Sequence, residues 1–395
     1  MTAGLSRRSL LKGAIGAGIL TALPVPVSAL VKPVARPPFQ GGLHGFIRGT
    51  CARPCFPVCR PPPRVVWAHG YGWADIASER RVGTDTTFML ASVSKTVTGV
   101  AALQGMEQGL YGLDDDISEI LSFPVRNPHF PDEAITPRML LTHTSSLRDN
   151  WGVLNASYVH GDSPISLADY MEGYFVKGGE NYNRDKNFRP TKPGASYAYC
   201  NEAVALAGLL VEQSAGMPFD RWCKEQLFEP LGMKDTSWHL EGLDRERVAT
   251  PYRYIRPGDR FEAIAQYGYP DYPDGQLRTS PSQLAKFLAA VSNGGAGENG
   301  ARILEERTVD EMLSNQLGDL VVWKQGLIWW GVGNQTTGPI MGHNGGDKGV
   351  ATYMFFSPKT RAGVALVSNG SWRSAAAGHA YRRIRDRLLI QPFGD

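Results

Sequence analysis

Apolar residues recur at helical spacing through Val93, Val97, Val100, Ala101 and Leu103 to Met106, and Gly109 ends the run, which predicts a helix starting beside Ser92. A second apolar helical run, Glu202 to Glu212, is closed by Gly216 and Pro218, and a helix-like stretch follows from Phe219 to Phe228. The two ends of the chain have a different rhythm. Leu43 to Arg48 and Arg64 to Trp73 have the pattern of strands; Val350 to Phe356 and Val364 to Ser368 do too, joined by a turn at Ser357-Pro358-Lys359-Thr360. A last helix is expected over about Ala375 to Leu389. Strands thus sit at both ends with helices between them, and 395 residues exceed what one core usually holds, so two lobes are expected.

Composition narrows the class. Hydrophobic residues make up 42% and charged residues 20%, which suits a folded globular protein, and a net charge of +3 is too small for nucleic-acid binding. The 45 glycines and 27 prolines imply many turns, as a loop-framed site needs. The first residues read as an address. Ser6-Arg7-Arg8-Ser9-Leu10-Leu11-Lys12 precedes a Gly/Ala-rich apolar stretch from Ala14 to Val27, and Val27-Ser28-Ala29 is a small-residue cleavage site. This is similar to a twin-arginine signal over 1–29, which implies a periplasmic or secreted protein. Pro24 and Pro26 shorten the apolar core, so no stable membrane span is expected after cleavage. Residues 30–39 read as a linker.

The chemistry begins at Ser92-Val93-Ser94-Lys95. At the start of a helix this spacing puts a hydroxyl and an amine on one face, and a serine needs such a neighbour to take its proton before it can attack a carbonyl. Two further clusters follow in order: Tyr199-Cys200-Asn201, and His343-Asn344-Gly345-Gly346 before the strand at Val350. The order S-x-x-K, Y-x-N, H-x-G resembles the signature of the penicillin-recognising serine hydrolases, in the branch of class C β-lactamases and D-alanyl-D-alanine carboxypeptidases. Phe88-Met89-Leu90-Ala91 before Ser92 is similar to that family's entry to the nucleophile. Leu140-Leu141-Thr142-His143-Thr144-Ser145, Pro230-Leu231-Gly232-Met233 and Gly275-Gln276-Leu277 also resemble family segments, so the likeness covers roughly residues 40–390.

The resemblance implies an α/β (α+β) fold: a mainly antiparallel sheet flanked by helices with an inserted all-helical lobe, β-lactamase/transpeptidase-like. Residues 40–110 plus 275–395 would form the α/β lobe, 111–274 the helical lobe, with the catalytic cleft between them. It further implies that Ser92 forms an acyl-enzyme, that Lys95 and Tyr199 carry the proton, and that backbone N–H groups of Ser92 and Gly346 form the oxyanion hole. Asn201, His343 and Gly345 would bind substrate, Asn201 also keeping Lys95 in place. A cationic Lys95 would pull the Tyr199 phenol below its usual value of about 10. No metal and no cofactor is called for, and the partner is a small-molecule or peptide substrate.

This chain departs from the family pattern at several points. Ser146 stands where glycine is usual, Cys200 where serine is common, and His343 in place of the lysine of true class C β-lactamases. A histidine third motif is more typical of carboxypeptidase, aminopeptidase and esterase members. If that motif recognises a substrate carboxylate, His343 would do so as imidazolium. A D-amino-acid peptidase or an esterase is therefore expected, with a weak β-lactamase or an inactive cell-wall peptide-binding protein as alternatives. Cys51, Cys55 and Cys59 fit no standard zinc spacing, and a loop disulfide with one leftover thiol suits an oxidising compartment better than a metal. Cys200 and Cys223 read as buried hydrophobes, His143 as a structural histidine, and Trp329 and Trp330 as either core or substrate wall.

Overall fold

The first and last strands of the chain lie side by side. In the computed structural model, which describes residues 43–50, 64–255, 258, 260–333, 338–371 and 375–390, β1 (Leu43–Thr50) and β2 (Arg64–His69) share a sheet with β3 (Trp330–Val332), β4 (Ile340–Asp347), β5 (Val350–Phe356) and β6 (Gly363–Ser368). The sheet has six strands in the order β3-β4-β5-β6-β1-β2, antiparallel at every pairing. Phe39–Asp395 hold together as one compact unit.

Strand alternation divides the core in two. From β5, Ala351, Tyr353 and Phe355 face Tyr381 and Leu389 of helix α4 (Ala375–Ile390). Met354 and Phe356 face the opposite way, into the main core with helices α1 (Ser94–Glu107) and α3 (Pro281–Ser292). Burial on both faces is why β5 reads as a continuous apolar run. Helix α2 (Asn201–Ala215) packs on α1 and ends at Gly216, whose φ of +61° closes the helix in the left-handed conformation.

The expected strands and helices are present, with two differences. Arg64 to Trp73 is not one strand: it breaks after His69, and Trp73–Asp75 pairs instead with Arg80–Arg81. A side chain at Gly70 would lie 2.4 Å from the Val82 carbonyl oxygen, and Gly72 takes φ +74°, so the chain can turn here only through glycine. His343 to Gly346 lie inside β4 rather than before a strand; paired glycines carry no strand propensity, and their pairing with β5 defines the element. The expected leader and linker and Cys51, Cys55 and Cys59 lie outside the described residues. Among the described residues no helix is long and apolar enough to cross a membrane.

The sheet is tied to the turn at Leu90–Ser92 by Thr352, which is fully buried and whose Oγ1 donates to the Leu90 carbonyl at 2.6 Å. Thr352→Val keeps the shape and removes the donor. It should lower unfolding stability by about 1 kcal/mol in a urea titration, the usual net worth of such a bond; an unchanged midpoint would show the tie to be dispensable.

Candidate active site

The segment before Ser92 is held from both sides. Phe88–Met89 pairs with Arg278–Thr279, and the Leu90 N–H donates to the Leu277 carbonyl at 2.8 Å. Ala91 then takes φ +48°, an unfavourable conformation for a residue with a Cβ, and turns the chain into a short 3-10 segment, Ala91–Val93, that leads into α1. Ser92 stands partly exposed at this corner while Val93 and Lys95 are fully buried.

One turn along, the Lys95 ammonium lies 3.1 Å from Ser92 Oγ. It also donates to the Asp274 backbone carbonyl at 2.6 Å and meets the Asp274 carboxylate at 3.3 Å. Burial alone would lower the Lys95 pKa, but Asp274, then Tyr199 and Asp149, raise it, so the group stays a cation. Asp274 sits in the short helix Tyr272–Asp274, held on α1 by Thr98, whose hydroxyl donates to the Pro273 carbonyl at 2.6 Å. Burial pushes its carboxyl up to about 6; Lys95 lowers it, while Asp149 and Asp347 add to the rise.

Tyr199 reaches the same point from the start of α2. Its phenol interacts with Ser92 and Lys95, and the ammonium lies 5.3 Å from its ring centroid. The ring is 41% exposed while the hydroxyl end is desolvated, and the hydroxyl's surroundings set its acidity. Burial raises the phenol above its ordinary value by more than Lys95 lowers it, so the expected depression by Lys95 does not carry the balance. Tyr199 rests protonated. His143, at φ +58°, stacks on the Tyr199 ring at 4.4 Å. Its Nδ1 accepts from the Cys200 N–H at 3.3 Å, its carbonyl accepts from the Ala198 N–H, and burial depresses its pKa. Its place is that of a brace for the Tyr199 segment. Ser146 also takes a left-handed φ of +63°, which accounts for the glycine usual there; its Oγ accepts from Asn127.

Asn201 is placed differently from expectation. Its amide donates to Asp149 at 2.8 Å, and Asp149 also accepts the backbone N–H of Asn201 at 2.7 Å. Among the described residues the partner that holds Lys95 is Asp274, not Asn201. Cys200 is fully buried, donates its thiol to Asp149, and has its pKa raised, first by burial; it is no nucleophile. Trp329 is core, against Phe287 and Phe356, whereas Trp330 is half-buried with its ring edge toward His343.

On the third side, β4 passes the turn at Ser92. A Cβ on Gly345 would lie 2.6 Å from the Leu90 carbonyl and 2.8 Å from the Ser92 nitrogen, so only glycine lets the strand approach this closely. Gly346 follows, exposed. His343 is 3% exposed; its Nδ1 donates to the Asn344 carbonyl at 2.6 Å. Burial first, then the Lys95 charge, pushes its pKa down to about 3. The imidazolium expected from the sequence is therefore absent at neutral pH, because burial strips the cation's hydration and Lys95 repels it.

The structure brings Ser92, Lys95 and Tyr199 into one cluster and sets Gly345 against it. Sequence reasoning missed Asp274 and Asp149, and also Glu202 and Asp271, buried carboxyls behind them whose pKa values burial drives well up. Lys95 and Asp274 are 179 positions apart, and no local pattern announces a contact of that range. Among the described residues no cluster of potential ligands could hold a metal ion.

Sheet, helices and site together define a β-lactamase-type fold. Residues 62–389 match the family described as Beta-lactamase, and the chain belongs to that family. It is 26% identical over 309 residues to penicillin-binding protein 4* of Bacillus subtilis, covering 73% of this chain and 62% of that longer relative. It is 28% identical over 292 residues to esterase EstB of Burkholderia gladioli, covering 70% of each. Among solved structures, D-amino acid amidase from Ochrobactrum anthropi superposes with a TM-score of 0.64 at 22% identity, over 88% of this chain and 92% of that one. These likenesses support a hydrolase.

The Gly345 approach is testable by adding one methyl. Gly345→Ala should push β4 away from Ser92 and lower kcat/KM by about 10²-fold or more, the scale of misplacing a reacting group by roughly 1 Å, with the circular dichroism spectrum retained. Wild-type kinetics in this variant would mean that the strand's closeness has no part in the reaction.

Proposed function

We propose that the chain is an exported serine hydrolase that forms an acyl-enzyme on Ser92 and prefers esters or amides with no free carboxylate at the recognised end. The observation that carries this reading is the contact of Ser92 Oγ with the buried Lys95 ammonium, with the Tyr199 phenol on the same pair. Ser92 attacks the carbonyl with this pair held against its hydroxyl. The N–H groups of Ser92 and Gly346 receive the oxyanion, a contribution of about 3 kcal/mol per donor. Tyr199, with its raised pKa, protonates the leaving group. Water then hydrolyses the acyl-enzyme by the same steps in reverse order.

The substrate preference rests on His343. A neutral imidazole with Nδ1 committed to Asn344 offers no cation to a carboxylate. Rings also lead outward from Tyr199 through His143 and Tyr197 to Trp323, beside exposed Leu320 and Val322, an apolar lip suited to an acyl or alkyl group. The second reading, hydrolysis of D-amino-acid peptides or amides, is favoured by the names of the penicillin-binding and amidase relatives. The intact Ser92, Lys95 and Tyr199 cluster argues against a binding protein without turnover. Export rests on the leader sequence over residues 1–29.

A fluorophosphonate should label one site, and Ser92→Ala should abolish both labelling and turnover. With the wild type at pH 7, short-chain p-nitrophenyl esters should be cleaved with a kcat/KM at least about tenfold above D-Ala-D-Ala peptides and a chromogenic cephalosporin, a difference of about 1.4 kcal/mol; the opposite ranking favours the second reading. For export, Arg7→Lys combined with Arg8→Lys should leave the precursor in the cytoplasm. Normal export of that double variant would exclude the twin-arginine route.

A further inference from the structure

The resting site has an unanswered question of protons: with Lys95 a cation and Tyr199 a phenol, neither can accept the Ser92 proton. We infer that Asp274 is a positioning residue and the terminal proton acceptor of the site, acting on Ser92 through Lys95. The inference rests on the reading of Ser92 as the nucleophile.

The three groups are in contact in sequence. Lys95 Nζ lies 3.1 Å from Ser92 Oγ and 3.3 Å from Asp274 Oδ2, and it is anchored by the Asp274 backbone carbonyl at 2.6 Å. Asp274 is 8% exposed and its side chain has no other hydrogen-bond donor among the described residues. As Ser92 attacks, its O–H bond breaks and an N–H bond forms on Lys95; another Lys95 N–H breaks and an O–H forms on Asp274. Lys95 is an ammonium before and after, and the carboxylate becomes a carboxylic acid. When the tetrahedral intermediate collapses, Tyr199 gives its proton to the leaving group and is reprotonated by Lys95, which recovers a proton from Asp274. Deacylation by water runs through the same bonds.

The surroundings keep this carboxylate basic enough to serve. Lys95 faces it from α1 and Tyr199 from the segment before α2. Asp149, Glu202 and Asp271 lie on the helical side, and Asp347 with Tyr158 and Tyr269 on the β4 side. Burial together with Asp149 and Asp347 outweighs Lys95, so Asp274 protonates at about 6 rather than in the ordinary carboxylate range. An acid of that strength can take a proton and return it within a turnover at neutral pH. Because the pKa is raised, the acceptor form is present above about pH 6 and is lost as pH falls through that value.

The test measures the second-order rate of fluorophosphonate labelling from pH 5 to 8, and ester kcat and KM, for wild type, Ser92→Ala, Asp274→Asn and Asp274→Glu. Asp274→Asn keeps the backbone carbonyl anchor and removes the acceptor. Expected are a wild-type labelling rate that falls on the acid side with a midpoint near 6, a loss of about 10²-fold in labelling rate and kcat in Asp274→Asn with KM little changed, no such midpoint in that variant, and partial recovery in Asp274→Glu. Wild-type rates and pH profile in folded Asp274→Asn overturn the inference. Should that variant fail to fold, a flat profile in the wild type, with circular dichroism constant over the range, overturns it equally. Labelling that persists in Ser92→Ala instead overturns the nucleophile assignment, and so separates the two failures.

Discussion

The rest of the site depends on one buried cation. The Lys95 ammonium is fully removed from water, a cost of several kcal/mol for an ion left alone. It is tolerable because a backbone carbonyl and a carboxylate from one residue, Asp274, take two of its donor directions and Ser92 Oγ takes the third. That arrangement fixes the ammonium against the Ser92 hydroxyl. The same charge depresses His343 and His143 and opposes the rise of Tyr199. Burial is the larger influence on each of these groups, and the Lys95 charge is the second that they share. Asp274 in turn is held by Thr98 and by the short helix that carries it.

Around that cation the fold supplies three rigid edges. The turn that carries Ser92 is clamped between Leu277 and the sheet, at the cost of a left-handed alanine; a small side chain makes that strain modest. The Tyr199 segment is fixed by His143 from beneath and by Asp149 at the start of α2. Strand β4 comes close because Gly345 has no side chain. None of these edges is a mobile loop: each is a strand, a helix start or a braced turn, which suits a reaction that needs its groups placed to fractions of an ångström.

Elements with strong periodicity were legible in the sequence: α1, α2, α4, β5 and β6 lie within a few residues of where spacing alone puts them. The glycine run at 343–346 was not, since its strand character comes from pairing with β5 and not from its own residues. Ser92, Lys95 and Tyr199 could be picked out because S-x-x-K, Y-x-N and H-x-G stand in the order of the family they resemble. Asp149 and Asp274 could not: each meets its partner across dozens of positions or more. Nor could the charge state of His343, because desolvation is a property of the packed neighbourhood and the residue type says nothing of it.

The same desolvation ties specificity to the proton path. A lysine at position 343 would face Lys95 in a dry site, and the repulsion already felt by His343 shows how unfavourable a second cation there would be. With Lys95 committed to Asp274, and burial raising the pKa values of Asp274, Asp149 and Asp347, the Lys95 charge beside Ser92 is already paired. On the proposed reading, a substrate carboxylate would find no uncommitted cation there among the described residues, whereas a neutral acyl group would need none. The carboxylate that holds the lysine from behind would, on that reading, also leave it no charge to offer a substrate carboxylate in front, so the proton path and the substrate preference would share one cause.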